Sequence, residues 1–140
     1  MGLWTDARDM IAAAQLVSAD PGLANSHPAY YLTGHGIEEA LKAFLRAQGQ
    51  SLKDLRYIGH DLDDALGVAI ALGIEGICAF DAHDKAKIGL LNRYYKEKYF
   101  EYRVTGFKSL PQIQDLLSLG QRILEAIKST CEASVGVVRN

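Results

Sequence analysis

Apolar residues recur every three or four positions along most of this chain, a spacing that is typical of amphipathic helices. The pattern breaks at ADPGLANSHP and at QSLKDLRYIG, which are predicted to be loops, the second with room for a short turn. In the segment YFEYRVTG the residue types alternate and favour β structure, which predicts a stretch of extended backbone. The remaining stretches predict helices over residues 5–18, 28–48, 60–73 and 76–98, and a last helix after residue 109.

Residue types near the ends support these boundaries. Asp61 with Asp64 suits the start of the third helix, and Thr5 can cap the first. Ser109 and Gln112 form a capping-box pattern before the last helix. The chain therefore predicts one all-α domain over residues 1–140, an up-and-down bundle of four or five helices with a core between about residues 5 and 132.

The second predicted helix has a clear apolar stripe. On a helical wheel of about 100° per residue, the stripe contains Ile37, Leu41, Phe44 and Leu45. Gly34 falls on the same stripe, where a glycine allows a neighbouring helix to approach closely. Gly36 lies at the edge of the stripe and has no role that the pattern assigns. Gly49 is suited to end the helix.

The opposite side of this helix is polar. It carries His35, Glu39, Lys42 and Arg46, and Glu38 stands four residues before Lys42, in the favourable order for an ion pair. The simpler interpretation, which the residue types favour, is a solvated face with weak ion pairs. The alternative is a ligand site or a subunit interface built from the same side chains.

Composition and charge narrow the classes of function. Of the 140 residues, 49% are hydrophobic, and the net charge is −2, which disfavours nonspecific binding to nucleic acid or to anionic membranes. No apolar run reaches the roughly 18 residues of a membrane span. The N-terminus lacks the pattern of a signal peptide, so a cytoplasmic location is expected. Cys78 and Cys131 lie in apolar surroundings and are predicted to be buried thiols.

Standard catalytic and cofactor motifs are missing from the sequence. Neither a G-x-x-x-x-G-K-[ST] nor a G-x-G-x-x-G phosphate loop occurs, and the Glu-x-x-His pairs of di-iron bundles are absent. Cys78 and His83 are predicted to point to different faces of a helix. We therefore predict no metal site and no cofactor.

Basic and aromatic residues alternate in one segment, KAKIGLLNRYYKEKYFEYR. Such a combination suits RNA or nucleotide binding, in which Arg93 and Lys96 would contact the ligand. The simpler interpretation is that Tyr94, Tyr95 and Phe100 face the core while the lysines are solvated.

Three stretches together resemble the HEPN (higher eukaryotes and prokaryotes nucleotide-binding) domain family. They are YYLTGHGIEEALKAFLRAQG, with Glu38, Leu41 and Lys42 at the family's positions, GHDLDDAL, which includes Asp61, and LLNRYYKEKYFEYRVTGFKSLP. The resemblance covers most of residues 5–130. It implies a four- or five-helix bundle, a homodimer, and a place in toxin–antitoxin or defence systems, often beside a nucleotidyltransferase partner.

Many members of this family cleave RNA without a metal, through an arginine followed after four to six residues by a histidine. This chain departs from that signature, because no histidine follows Arg103 and an imidazole is needed to move the proton of the ribose 2′-hydroxyl. Arg56 and His60 are too closely spaced and lie in another region.

Three hypotheses follow from the sequence. The leading one is a non-catalytic HEPN-like module that binds a nucleotide, RNA or a protein partner. The second is a ribonuclease that uses Arg103 with His60 or His35. The third is a structural adaptor or antitoxin without affinity for RNA.

Overall fold

The computed structural model describes residues 2–96 and 110–135, and every regular element in these residues is helical. The helices are α1 (Gly2–Ala19), α2 (His27–Ala47), α3 (Leu52–Ile58), α4 (Leu62–Ala71), α5 (Ala82–Tyr95) and α6 (Ile113–Val135), with a 3₁₀ turn at Ile74–Gly76. The prediction of an all-α bundle is confirmed. Its helix count was too low, since the described ranges contain six α-helices.

The additional helix is α3, which lies in the segment predicted to be a loop. Ser51 caps it by accepting a hydrogen bond from the Asp54 backbone N–H at 3.0 Å, and the Asp54 carboxylate accepts from the Ser51 N–H at 2.9 Å. This reciprocal capping box satisfies two of the donors that a helix start leaves unpaired. The cap compensates for the short length of the helix, in which only Leu55 and Ile58 are buried.

The start of the fourth predicted helix, at residue 76, is wrong. Gly73 has a left-handed φ of 96° and is followed by the 3₁₀ turn, and the chain then leaves helical geometry. Helix α5 begins only after Asp81, which forms a capping box with Asp84. Asp81 accepts from the Asp84 N–H, so the cap and not the apolar spacing sets the start of this helix.

Other boundaries are close to those predicted. Asp61 caps α4 by accepting from the Asp64 N–H at 3.1 Å, and Gly49 has a positive φ just after α2. Thr5 does not cap α1, because the helix already begins at Gly2. The predicted stretch of extended backbone and Ser109 lie outside the described residues.

Helix α1 runs antiparallel to both α2 and α6, and these three helices form the apolar centre of the bundle. Near one end of α1, the Trp4 indole N–H donates to the Leu124 carbonyl oxygen at 3.0 Å. About two helical turns later, Ile11 contacts Gly36 of α2 and Gly120 of α6. The up-and-down arrangement expected for these helices is therefore present.

Two glycines on α2 allow close packing on different neighbours. A Cβ atom at Gly36 would lie 2.7 Å from Ile11 Cδ1, and a Cβ atom at Gly34 would lie 2.7 Å from Tyr95 Cδ1. The prediction that Gly34 is a packing glycine is confirmed. The structure also supplies the role that the sequence did not assign to Gly36, which is contact with α1.

Both cysteines are free and buried, as predicted, and burial raises the pKa of each thiol. Tyr95 is buried, and Tyr94 is partly buried and packs on the core. Within the described part of the chain, no helix is both long enough and apolar enough to cross a lipid bilayer.

Candidate functional site

The Glu38 carboxylate lies at the centre of a hydrogen-bonded cluster between α2, α5 and the turn before α4. Its Oε1 accepts from the Tyr95 hydroxyl at 2.7 Å and from His60 Nδ1 at 2.8 Å. Its Oε2 accepts from Lys42 Nζ at 3.0 Å. The Glu38 side chain is only 4% exposed, so the protein has replaced almost all of its hydration with these donors.

The donors also fix the ionisation of Glu38. Burial alone would raise the pKa of this carboxyl group, but the hydrogen bonds from His60, Tyr95 and Lys42 outweigh it. The pKa of Glu38 therefore lies below its ordinary value, and the group is a buried carboxylate. A carboxyl group is expected to have a lowered pKa when several hydrogen-bond donors stabilise its charged form.

Lys42 is buried with Glu38 and connects the cluster to the loop that follows α3. Its ammonium group donates to Glu38 and to the carbonyl oxygen of Gly59. Gly59 has a positive φ of 64°, and its conformation turns the chain so that His60 faces Glu38. Because the Lys42 side chain is only 11% exposed, the preferred interpretation of a solvated polar face is wrong.

Tyr95 extends the cluster to a second histidine. His35 Nδ1 lies 2.9 Å from the Tyr95 hydroxyl oxygen, and His35 Nε2 lies 3.0 Å from Glu39 Oε1. His35 also faces the ring of Tyr31, with the two rings nearly parallel. We call the six side chains of this cluster the Glu38 network: His35, Glu38, Glu39, Lys42, His60 and Tyr95.

A neighbouring set of contacts fixes the start of α4 against α5. The buried Asn92 side chain accepts from the Leu62 backbone N–H at 2.7 Å and donates to Asp61 at 2.9 Å and Asp63 at 3.1 Å. Lys96 approaches Asp61 at 3.5 Å. These bonds hold the turn that carries His60, so Asp61 and Asn92 position the site without lining it.

An open cleft of about 310 Å³ lies over the Glu38 network. Arg56 and His60 are exposed on its wall, with the His60 side chain 58% exposed. The other lining residues are His35, Glu38, Glu39, Lys42, Leu3, Leu52 and Leu55. No described residue forms an ion pair or hydrogen bond with the Arg56 guanidinium.

The structure brings together five of the predicted site residues, namely His35, Glu38, Glu39, Lys42 and His60. Arg46 is not among them, because it donates to the Gln50 carbonyl oxygen and lines a separate cleft beside Trp4 and Cys131. Arg93 is exposed on α5. Arg103, the arginine of the ribonuclease hypothesis, lies outside the described residues.

Sequence reasoning missed three residues of the site. Tyr95 was assigned to the core, yet its hydroxyl joins Glu38 to His35. Asn92 has no predicted role beyond its place in the family-like segment, and the close spacing of Arg56 and His60 argues against a role for Arg56. A buried asparagine within an apolar helical stripe was a usable signal, since a buried amide needs partners.

The described residues contain no group of three or more His, Cys, Asp or Glu side chains arranged to hold a metal ion. Comparison of the chain with protein-family models, with curated proteins and with solved structures gave no match. The HEPN resemblance, the homodimer and the nucleotidyltransferase partner therefore stay predictions from the sequence.

Proposed function

We propose that this protein is a HEPN-like helical module that binds a phosphate-bearing nucleotide, either free or within an RNA strand, in the cleft over the Glu38 network. The observation that carries the proposal is that Arg56 and His60 both line that cleft. Both side chains are exposed, and the guanidinium has no partner among the described residues.

The chemistry of this wall suits a phosphate group. A guanidinium offers planar, paired donors that match phosphate oxygens. His60 Nδ1 is engaged by Glu38 at 2.8 Å, so the other ring nitrogen, Nε2, is left to contact a ligand. The cleft volume of about 310 Å³ falls at the lower end of the range for small-molecule sites, which is enough for one nucleotide unit.

The buried part of the network gives this wall its rigidity. Glu38 receives three side-chain donors, and Lys42 ties it to the Gly59 carbonyl oxygen immediately before His60. Burying a charged pair costs desolvation free energy that its mutual attraction offsets only with good geometry. A cluster of this kind beneath an open cleft is the arrangement expected of a binding site.

The proposal is tested by measuring the affinity of adenosine monophosphate and of a short labelled single-stranded RNA. Arg56→Ala should weaken binding about tenfold and should lower the salt dependence by about one phosphate contact. Lys53→Ala is the matched control, since it removes one positive charge from an exposed position on the same helix α3 without lining the cleft.

Three results would contradict the proposal. Equal losses in Arg56→Ala and Lys53→Ala would show that only general surface charge attracts the ligand. A lack of binding by both probes would remove the nucleotide site altogether. Binding to a protein partner with neither probe bound would favour the adaptor hypothesis instead. Binding of RNA without binding of the mononucleotide would identify the strand as the ligand.

Metal-independent RNA cleavage is a second candidate, and one observation favours it. The Glu38 carboxylate holds the His60 imidazole through Nδ1, the arrangement that orients an imidazole to move protons at its other nitrogen. Arg56 lines the same cleft and could stabilise charge on a phosphate. Cleavage of RNA in the presence of a metal chelator, lost in His60→Ala and retained in Lys53→Ala, would support this candidate, and cleavage unaffected by His60→Ala would remove it.

A further inference from the structure

The Glu38 network contains a continuous path of hydrogen bonds from the exposed His60 to Glu39. The path runs from His60 through Glu38 and Tyr95 to His35, and ends at Glu39. Every separation along it is between 2.7 and 3.0 Å. Such a path constrains where each proton can be, because each contact needs one donor and one acceptor.

The proton count begins at Tyr95. Its hydroxyl has a single proton, which it donates to the Glu38 carboxylate at 2.7 Å. The Tyr95 oxygen can therefore only accept at the 2.9 Å contact with His35 Nδ1. It follows that His35 carries its proton on Nδ1.

The other ring nitrogen of His35 then needs a second proton. In a neutral imidazole protonated on Nδ1, Nε2 is an acceptor, and an ionised Glu39 carboxylate is an acceptor too. Two acceptors would repel each other at the observed 3.0 Å between Nε2 and Glu39 Oε1. The contact is satisfied when one additional proton lies on either of these two atoms.

The surroundings of Glu39 favour keeping that proton. Its Oε2 is buried, and no described residue donates a hydrogen bond to it. Burial raises the pKa of Glu39, and His35 opposes this effect, while the negative charges of Asp6 on α1 and Glu38 on α2 raise the pKa further. Among the described residues, the other titratable or charged groups that face the pair or share its cleft are Tyr31, Lys42, Arg56, His60 and Tyr95.

We propose that the His35–Glu39 pair holds one more proton than a neutral imidazole and an ionised carboxylate hold together, that the two side chains share this proton, and that anion binding in the cleft depends on it. The last part rests on the proposed function. With the proton present, the His35–Glu39 pair is neutral, and the cleft keeps the unbalanced positive charge of Arg56, because Lys42 balances Glu38. Loss of the proton gives the pair a charge of −1 and cancels that positive charge.

The affinity for adenosine monophosphate should therefore fall by roughly five- to tenfold as the pair loses its proton, the effect of about one unit charge at moderate distance and intermediate dielectric. Measurements should run from about pH 6 to about pH 8.5, across the range in which imidazoles titrate. Groups outside the pair contribute the same pH dependence to every protein compared.

Glu39→Gln separates the two contributions. A glutamine amide can donate to His35 Nε2 without an additional proton, and it has no carboxylate charge, so the pair cannot become negative as the pH rises. This variant should show a smaller loss of affinity with rising pH than the wild type. Glu125→Gln is the matched control, because it makes the same charge change at an exposed position on α6 and should keep the wild-type pH dependence.

A ligand-free measurement distinguishes this inference from the proposed function. Nuclear magnetic resonance signals of the Glu39 carboxyl carbon and the His35 ring nitrogens should titrate together in one shared step, as coupled sites do. An ionised Glu39 beside a singly protonated His35 throughout the pH range would overturn the shared proton. A shared titration step without nucleotide binding at any pH would keep the shared proton but overturn its role in binding, together with the proposed function. Equal pH dependence in the wild type and Glu39→Gln would overturn that role alone.

Discussion

The two faces of helix α2 are buried in opposite ways. The face toward α1 and α6 is apolar, and Gly36 and Ile37 there meet Ile11 and Gly120. The other face buries the Glu38 carboxylate, which accepts hydrogen bonds from three side chains. Burying apolar surface stabilises a fold by about 25 cal/mol per Å², whereas a buried ion pair often stabilises it less than apolar residues of the same volume would.

The two faces of α2 therefore differ in whether the requirements of folding explain their residues. Close packing explains the apolar face fully, since its glycines allow the helix backbones to approach. Folding gives no comparable reason to bury Glu38 and Lys42, and these residues lie under the cleft that holds Arg56 and His60. The polar face is therefore the part of the molecule where a function is to be sought.

The largest expected effect comes from removing the central carboxylate. Glu38→Ala would leave Lys42 as an uncompensated buried charge and would leave the Tyr95 hydroxyl without its acceptor. We expect this change to lower the free energy of unfolding by about 3–5 kcal/mol, measured by urea denaturation near neutral pH.

Glu125→Ala is the control for this experiment, since Glu125 is an exposed residue of α6 whose carboxylate accepts a hydrogen bond from Gln121, four residues earlier. It should change the free energy of unfolding by no more than about 0.5 kcal/mol. Similar losses in both variants would show that the Glu38 network is no more important to stability than the surface, and the contrast between the two faces would fail.

The second expected effect is at Gly34, where the two faces meet. A Cβ atom there would lie 2.7 Å from the Tyr95 ring, and that ring is held by hydrogen bonds to Glu38 and His35. Gly34→Ala should therefore lower the free energy of unfolding by about 1–3 kcal/mol, as overpacking does, although alanine favours a helix by about 1 kcal/mol.

Gly67→Ala on α4 is the matched control, because a Cβ atom there meets nothing within 4 Å. It should raise the free energy of unfolding by about 0.5–1 kcal/mol. Urea denaturation of both proteins gives the comparison, and a gain at Gly34 equal to that at Gly67 would show that Tyr95 moves freely and that the network is not rigid.

The amino-acid sequence predicted the apolar face and named most side chains of the polar face, but it did not show that those polar side chains are buried together. The spacing of Ile37, Leu41 and Leu45 predicted the buried stripe, because apolar periodicity is a local property. Helix α3 was missed because its signal is a capping box of Ser51 with Asp54, and not a hydrophobic pattern.

The polar face could not be assembled in the same way, because its contacts join residues far apart in the chain. Glu38 and Tyr95 are 57 positions apart, and Glu38 and His60 are 22 apart. On a helical wheel, Lys42 looked like a solvated lysine, since no local pattern shows that the loop at Gly59 covers it. Only the tertiary arrangement reveals that these charges are buried.

The smallest expected effect distinguishes buried from exposed ion pairs around the same site. Lys96 lies 3.5 Å from Asp61, and the two side chains are 44% and 32% exposed, whereas Lys42 is buried with Glu38. Lys96→Ala should change the free energy of unfolding by less than about 1 kcal/mol, and added salt should reduce the difference further because exposed charges are screened. Lys42→Ala, measured by the same urea denaturation, should cost several times more, because the Glu38 carboxylate then loses its buried cation. A loss in Lys96→Ala as large as that in Lys42→Ala would mean that Lys96 supports the turn carrying His60 through Asp61, and that the rigid part of the site extends to the end of α5.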